Sequence, residues 1–398
     1  MPPSPRHGLI NADRAEAHAR LHFIDVARGS AMFFVLLSHF AFNYFSGDDA
    51  TGNLMTLVGM IASPTFMLIN GTLLGMYYRT RPADFERFRT IVTDRGLFLL
   101  TIGHLLVLLS HATYAVRFVS ITDAVGVCML ISPWLLTTVS PRMRLLLGLG
   151  AYAISMMVVL QWHPTAHYPM VIKETFFGVF GQQGSSFYVY AFPIVPWYSL
   201  ELAATALGER LGGYSSEGNV RAMHRLLLRT AAIGIVAAAS LNVAYHVIRS
   251  YGFETALATH SVGSPFAKMP PSLVYFLFYG SLGLVLISIS LHAASQARMA
   301  RVVRALSIVG QTSFPVFVIQ FFVYFTVLHA VRPFLPWAWA WPAYFALSVV
   351  AVVAPAVFWH RAGYNRYLTV GYRRLVHDLG GQTSLGKHPT ELPASFSH

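Results

Sequence analysis

The chain is 398 residues long, with 55% hydrophobic, 14% aromatic and only 11% charged residues, and a formal net charge of +12. A soluble protein carries about a quarter charged residues, so the composition excludes an ordinary soluble multidomain protein. The positive charge does not indicate nucleic-acid binding, because the arginines lie in short clusters between apolar runs. A polytopic membrane protein is predicted.

Apolar runs long enough to cross a ~30 Å hydrocarbon layer as helices recur along the chain. They cover residues 29–46, 53–78, 96–112, 121–139, 144–161, 187–207, 226–248, 271–294, 306–329 and 337–359. The predicted fold class is therefore all-α, a polytopic integral membrane helix bundle with about ten transmembrane helices.

Arginine and lysine content alternates between successive loops. If the arginine of the first span is counted with the N-terminal side, 23 of the 28 cationic residues fall on one face of the bundle. The five on the other face are Arg117, Lys173, Arg249, Lys268 and Arg332. Because cytoplasmic loops carry the excess of basic residues, both termini are expected in the cytoplasm.

Three regions are expected along the chain. Residues 1–20 are predicted to form a cytoplasmic N-terminal tail, 21–360 the transmembrane domain, and 361–398 a cytoplasmic, partly disordered tail. The longer outward loops, 162–186 and 249–270, carry polar groups among Gly, Pro and Ser and are expected to cap the outer opening.

The first span, Phe23 to Phe45, carries three ionisable side chains, Asp25, Arg28 and His39. Such groups usually line a cavity or a pathway, because exposing them to lipid costs several kcal/mol. His39 lies eleven positions after Arg28, which returns it to within about 20° of the same helix face and places it roughly 16 Å further along. The pattern predicts a groove with a cationic opening and a deep imidazole.

His39 is the candidate catalytic residue, because a neutral imidazole can act as a base near neutral pH. The alternative is a histidine that only bonds a neighbouring helix. Asp25 and Arg28 lie one turn apart and are expected to pair, which would hold the guanidinium for a phosphate or would simply anchor the helix end. Arg95 is expected to join them in binding an anionic cofactor, unless it is a snorkelling loop arginine.

Two further histidines, His104 and His111, lie seven positions apart and on nearly one helix face. Together with His39 they would suit a haem or another metal, as imidazoles from facing helices do in bundles. Nothing else in the sequence supports electron transfer, and no metal is predicted. His104 is instead placed among the expected substrate-binding residues.

Other polar or aromatic groups occur inside predicted spans. Asn70 and Gln320 are of the kind that joins helices, whereas Glu201 needs a partner or a raised pKa to stay in such a place. Trp197 lies beside two prolines and is expected to shape a broken helix. Asn70, Trp197 and Glu201 are taken as candidate substrate-binding residues.

The first span resembles the opening signature of the membrane acyltransferases that include the bacterial acyltransferase-3 proteins and the heparan-alpha-glucosaminide N-acetyltransferase-like group. FIDVARGSAMFFVLLSH has Asp, two residues, Arg-Gly, then an apolar run ending in His. Further segments similar to the second group cover 63–75, 192–212, 267–286 and 306–325. The chain departs from the pattern at Asn70, usually a small apolar residue, and at Gln320, where a histidine is expected in many relatives.

The resemblance implies transfer of an acyl group, usually acetyl from cytoplasmic acetyl-CoA, to a hydroxyl or amine of a carbohydrate or lipid-linked acceptor on the far side of the bilayer. His39 corresponds to the family's functional histidine. Arg28 and Arg95 would hold the coenzyme, and Lys268, on the opposite face, would contact the acceptor. The resemblance also implies a bacterial inner membrane, and a homodimer is left open.

Two other functions remain open from the sequence. A proton-coupled transporter or flippase would use His39, His104 and Glu201 as a proton relay, but related halves of the kind common in transporters are not evident. The second open function is that of a membrane subunit without catalytic activity.

Overall fold

The computed structural model describes residues 5–45, 49–110, 117–179, 188, 190–250, 267–335, 338–364 and 372. Helices account for most of them: α1 Pro5–Tyr44, α2 Ala50–Gly59, α3 Ala62–Thr80, α4 Phe85–Phe98, α5 His104–Ser110, α6 Ile121–Thr138, α7 Pro141–Gln161, α8 His167–Phe176, α9 Ile194–Ser216, α10 Val220–Ser250, α11 Leu273–Ala294, α12 Ala300–Gln311, α13 Ser313–Phe321, α14 His329–Val331 and α15 Trp341–Arg361.

Short elements join these helices. Two π-helical segments, Leu99–Gly103 and Phe322–Leu328, connect α4 to α5 and α13 to α14. Single 3₁₀ turns cover Pro82–Asp84, Ala297–Met299, Arg332–Phe334 and Ala338–Ala340. Strands β1 (Phe118–Val119) and β2 (Tyr190–Ala191) pair in parallel.

The fold class expected from the sequence is confirmed: the protein is an all-α polytopic membrane helix bundle. Within the described ranges, nine helical stretches are long and apolar enough to cross a membrane. They are His22–Tyr44, Ala50–Thr80, Pro82–Ser110, Ile121–Thr138, Pro141–Gln161, Val220–Ile248, Leu273–Ala294, Ser313–Phe334 and Trp341–Arg361. Each coincides with one of the ten apolar runs.

The remaining run, 187–207, overlaps α9, a 23-residue helix that is not among the nine. Three charged side chains, Glu201, Glu209 and Arg210, interrupt its apolar sequence. The helix is nevertheless central to the bundle, because it packs along α3 and α7 and its Glu201 is completely buried. Hydropathy underestimates a helix that is surrounded by protein.

The run at 306–329 is divided between two helices, since α12 ends at Gln311 and α13 begins at Ser313. α12 is amphipathic: Arg301 and Arg304 are exposed, while Val303 and Ser307 are buried. Its buried side packs on α1. This short helix therefore packs against the polar part of α1 around Asp25, and only α13 continues into the bundle.

The contact between α1 and α12 requires glycine on both helices. A Cβ atom added at Gly29 would lie 2.0 Å from the carbonyl oxygen of Leu306, and one added at Gly310 would lie 1.9 Å from that of Asp25. Backbone atoms cannot move aside as a flexible side chain can, so any larger residue forces the helices apart. The glycine that follows Arg28 thus fixes where α12 meets the Asp25–Arg28 turn.

Gly310→Ala is expected to destabilise the protein by separating α12 from α1, which should lower its thermal unfolding midpoint in detergent by several degrees. Gly150→Ala is the matched control, because nothing lies within 4 Å of a Cβ atom there. Alanine is favoured over glycine inside a helix by about 0.5–1 kcal/mol, so the control should be neutral or slightly stabilising. Equal midpoints for the two variants would contradict the close packing.

The C-terminal part of α1 is held in an aromatic core. Phe40 of α1 packs on Tyr44 and on Tyr324, with ring centroids 5.0 and 6.2 Å apart, and Phe345 of α15 lies 5.2 Å from Phe40. Phe40 and Tyr324 are completely buried. Tight interior packing leaves few alternative rotamers, so this core fixes the rotation of α1 and the direction of its neighbouring side chains.

Candidate active site

Asp25 and Arg28 of α1 form the expected ion pair. Arg28 Nη1 lies 3.2 Å from Asp25 Oδ1, and both side chains are largely buried, with 20% and 26% of their surfaces exposed. Gln311 of α12 donates from Nε2 to the other carboxylate oxygen, Oδ2, at 3.3 Å. The carboxylate is therefore held from two helices, and it in turn holds the Arg28 guanidinium.

Arg95 of α4 interacts electrostatically with both Arg28 and Asp25. Two guanidinium groups thus interact with a single carboxylate, which leaves a net positive charge around Asp25 and Arg28. The polar cluster extends to Ser307, which contacts His22 Nδ1 at 3.1 Å and accepts a hydrogen bond from Gln311 Nε2 at 3.3 Å. The structure brings Asp25, Arg28 and Arg95 together, as the sequence suggested.

His39 lies further along α1 and is half-buried. Its Nδ1 is 2.6 Å from Oε1 of Gln320 on α13. The rings of Phe321 and Phe325 lie 5.5 Å from the imidazole, one tilted and the other edge-on. Asn43 donates to the main-chain carbonyl of His39 at 2.8 Å. A short polar contact and two aromatic contacts thus help to fix the imidazole.

One stretch of helix supplies all these contacts. Phe321 and Phe325 are four residues apart, a spacing that places side chains on the same face of a helix. Gln320 directly precedes Phe321 near the end of α13, and the π-helical segment Phe322–Leu328 follows it. The side chains around the imidazole therefore come from two successive turns of one continuous element.

His104 begins α5, directly after the other π-helical segment. Its Nδ1 lies 2.9 Å from Oδ1 of Asp123. Asp123 also accepts hydrogen bonds from Ser120 N at 2.7 Å and Ser120 Oγ at 3.0 Å, which caps α6. His104 is one-third exposed and is held by this cap; His111 lies outside the described residues.

Glu201 is completely buried in α9 between two hydrogen-bond donors. Asn70 Nδ2 of α3 donates to Oε1 at 3.2 Å, and Ser132 Oγ of α6 donates to Oε2 at 2.6 Å. These bonds supply the partners that a buried carboxylate requires. The structure brings Asn70 and Glu201 together, although nothing in their spacing of 131 residues indicated this contact.

A buried arginine continues this polar stripe toward one end of α9. Arg144 of α7 is completely buried, donates from Nη1 to Thr205 Oγ1 at 3.0 Å, and pairs with Glu209 through Nη2. Because Glu201, Thr205 and Glu209 follow one another at intervals of four residues, they share one face of α9. Sequence inspection assigned Arg144 only to a basic loop and did not find this pairing.

Trp197 is completely buried one turn before Glu201, stacked on Phe192 with centroids 4.2 Å apart. Its indole nitrogen makes no hydrogen bond to any residue that the structure describes.

Lys268 is half-buried in the turn before α11, where its backbone forms an isolated β-bridge with Pro271. Burial lowers the pKa of its amine to about 8.

The candidate residues fall into separate groups. Asp25 and Arg28 lie at the start of the membrane-spanning part of α1, near Arg95 of α4, His39 lies with Gln320 further along α1, and Asn70 and Glu201 form a second buried pair. Within the described ranges, no group of three or more His, Cys, Asp or Glu side chains is placed to hold a metal ion. No sequence pattern predicted the contacts that Ser132, Gln311 and Arg144 make.

The family model for the heparan-alpha-glucosaminide N-acetyltransferase catalytic domain matches residues 20–234, more than half of the chain. The chain belongs to this family. It is therefore an acetyltransferase, built as an integral multi-pass membrane protein. The match includes Asp25, Arg28, His39 and Arg95 and ends before Lys268 and Gln320. A comparison with curated proteins gives no significant match.

Proposed function

We propose that this acetyltransferase moves an acetyl group from cytoplasmic acetyl-CoA to a hydroxyl or amine of a sugar or lipid-linked acceptor on the other side of the membrane. The supporting observation is the arrangement of α1. A cationic cluster of Asp25, Arg28 and Arg95 lies at the start of its membrane-spanning part, and a hydrogen-bonded imidazole, His39, lies eleven residues after Arg28.

The cationic cluster suits the phosphorylated nucleotide of the coenzyme. Guanidinium groups bind phosphate through paired, charge-assisted hydrogen bonds. Asp25 neutralises only one of the two charges of Arg28 and Arg95 and, with Gln311, fixes the orientation of Arg28. Because the Arg28 guanidinium is already oriented, less conformational entropy is lost when a phosphate binds to it.

The reaction centre is assigned to His39, roughly 16 Å along the helix from Arg28. The flexible arm of the coenzyme would span this distance. The imidazole takes the proton of the acceptor hydroxyl or amine as that atom attacks the thioester carbon, the C–S bond breaks, and the imidazolium returns a proton to the leaving thiolate. Coenzyme A and the acetylated acceptor are the products.

Contacts to the acceptor are assigned to Asn70, His104, Trp197, Glu201 and Lys268. Two observations support this choice. Trp197 presents a buried indole donor without a hydrogen bond to the described residues, and the lowered pKa of Lys268 gives an amine that can donate or accept. Location in a bacterial inner membrane, both termini in the cytoplasm, and a possible homodimer complete the proposal.

Purified full-length protein in sealed liposomes provides the test. Labelled acetyl-CoA is added outside, glucosamine, glucosaminides and lipid-linked sugars are enclosed, and the acetylated product is measured inside. Product inside, with released coenzyme outside, is the expected result. Proton-linked uptake or flipping of an unmodified solute, with no product and no coenzyme binding, would favour the transporter alternative and overturn the proposal.

Arg28→Ala is expected to weaken binding of coenzyme A by about 10- to 100-fold, because a hydrogen bond to a charged group contributes about 1.5–3 kcal/mol. Asn70→Ala is the matched control, since Asn70 bonds Glu201 in a different part of the bundle. Titration calorimetry in detergent measures both affinities. Equal affinity in the two variants would contradict the placement of the donor.

A further inference from the structure

We infer that Gln320 is the positioning residue of the catalytic histidine: it holds His39 in the one neutral tautomer in which Nδ1 carries the proton and Nε2 is the basic atom. This inference rests on the proposed function of His39. It assigns a role to the residue at which the chain departs from the pattern of the family it resembles.

The first argument is the geometry of the contact. Gln320 Oε1 lies 2.6 Å from Nδ1 of His39, a short distance for a hydrogen bond between nitrogen and oxygen. An amide oxygen can only accept, so the neutral ring donates from Nδ1. In that tautomer the lone pair that accepts a proton is on Nε2. The direction of this bond therefore decides which ring atom acts on the acceptor.

The second argument is the rigidity of the support. Gln320 is completely buried on α13, so its carboxamide has little freedom to turn away. Phe321 and Phe325 contact the imidazole, and Phe317 packs edge-on against Phe321 at 4.9 Å. Phe317, Phe321 and Phe325 follow one another at intervals of four residues, which places them on one side of the helix. A positioning group on a packed element holds its partner more precisely than one on a loop.

The third argument concerns stability. The Nε2 atom of Gln320 is buried and makes no hydrogen bond to any described residue. A buried donor in this condition costs about 1–3 kcal/mol. A leucine of similar size would avoid the cost and fill the same space. Gln320 is thus a poor choice for packing alone, and its benefit lies in the bond to His39.

Gln320→Leu separates the two roles. It should lower kcat by about 10- to 100-fold, leave the KM for acetyl-CoA within about twofold, and leave the thermal midpoint unchanged or higher. Gln320→Glu keeps an acceptor at the same position and should restore most of kcat.

Nitrogen NMR of protein labelled at histidine reads the tautomer without requiring activity. The His39 signals are identified by their loss in His39→Asn. Wild type and Gln320→Glu should show a protonated Nδ1, and Gln320→Leu should shift the proton toward Nε2. Wild-type kcat in Gln320→Leu, or an unchanged His39 spectrum, would overturn the inference. Absence of transfer by the wild type would instead overturn the proposed function, while the spectra would still decide the tautomer.

Discussion

His39→Ala is expected to reduce acetyl transfer by about 10²- to 10⁴-fold, the usual contribution of a positioned general base. The binding of coenzyme A should change less than twofold, because the Arg28 cluster lies roughly 16 Å away along α1. Transfer of labelled acetyl groups measures the first quantity, and calorimetry measures the second. A loss of rate without a loss of donor affinity locates the imidazole at the chemical step.

The matched control for this variant is His224→Ala. His224 is also a membrane histidine whose Nδ1 bonds a side chain of another helix, Ser288 Oγ at 2.9 Å. It lies in α10, and His224→Ala removes the same side-chain atoms as His39→Ala together with one hydrogen bond. His224→Ala should retain transfer. Equal rates in the two variants, or a wild-type rate in His39→Ala, would contradict the assignment of His39.

Much of the fold could be predicted because membrane helices can be recognised in a sequence by their length and apolar composition. Nine of the ten apolar runs coincide with helices that are apolar enough to span. The exception, α9, is interrupted by charged residues that have partners on neighbouring helices: Arg144 pairs with Glu209, while Asn70 and Ser132 donate hydrogen bonds to Glu201. Hydropathy scores a residue alone and cannot include the partner that makes its burial tolerable.

Apart from Arg95 of α4, which interacts electrostatically with Arg28 as expected, the site was predictable only where its residues share one helix. The spacing of Asp25, Arg28 and His39 along α1 follows from helix geometry, and the Asp25–Arg28 pair is present. Partners on α12 and α13 were not predictable, because Gln320 is 281 residues from His39 and Gln311 is 286 from Asp25. Periodicity identifies a face of a helix but not what that face meets.

Glu209→Gln is expected to destabilise the bundle strongly, because it leaves the completely buried Arg144 without its ion-pair partner. Breaking a buried pair costs about 3–5 kcal/mol, since the remaining charge is no longer compensated. Thr205 still accepts from Nη1, but Arg144 Nε makes no hydrogen bond to a described residue. Thermal unfolding in detergent should show a midpoint several degrees lower.

Glu86→Gln is the control for this prediction. Glu86 pairs with Arg89 one turn away, but 67% of the Glu86 side chain is exposed. An exposed pair contributes about 0–1 kcal/mol, so its loss should hardly change the midpoint. If Glu86→Gln and Glu209→Gln lowered the midpoint equally, burial would not be the source of the effect.

The double variant Arg144→Met with Glu209→Gln tests the mechanism. Removing both charges avoids the uncompensated guanidinium, and apolar replacement of a buried pair is often neutral or stabilising. The midpoint should therefore recover most of the loss seen in Glu209→Gln. Arg144 and Glu209 also line a pocket of about 190 Å³ with Tyr78 and residues 136–141. Water entering this pocket would solvate part of the uncompensated guanidinium charge, which places the expected loss for Glu209→Gln near the lower end of the range of about 3–5 kcal/mol.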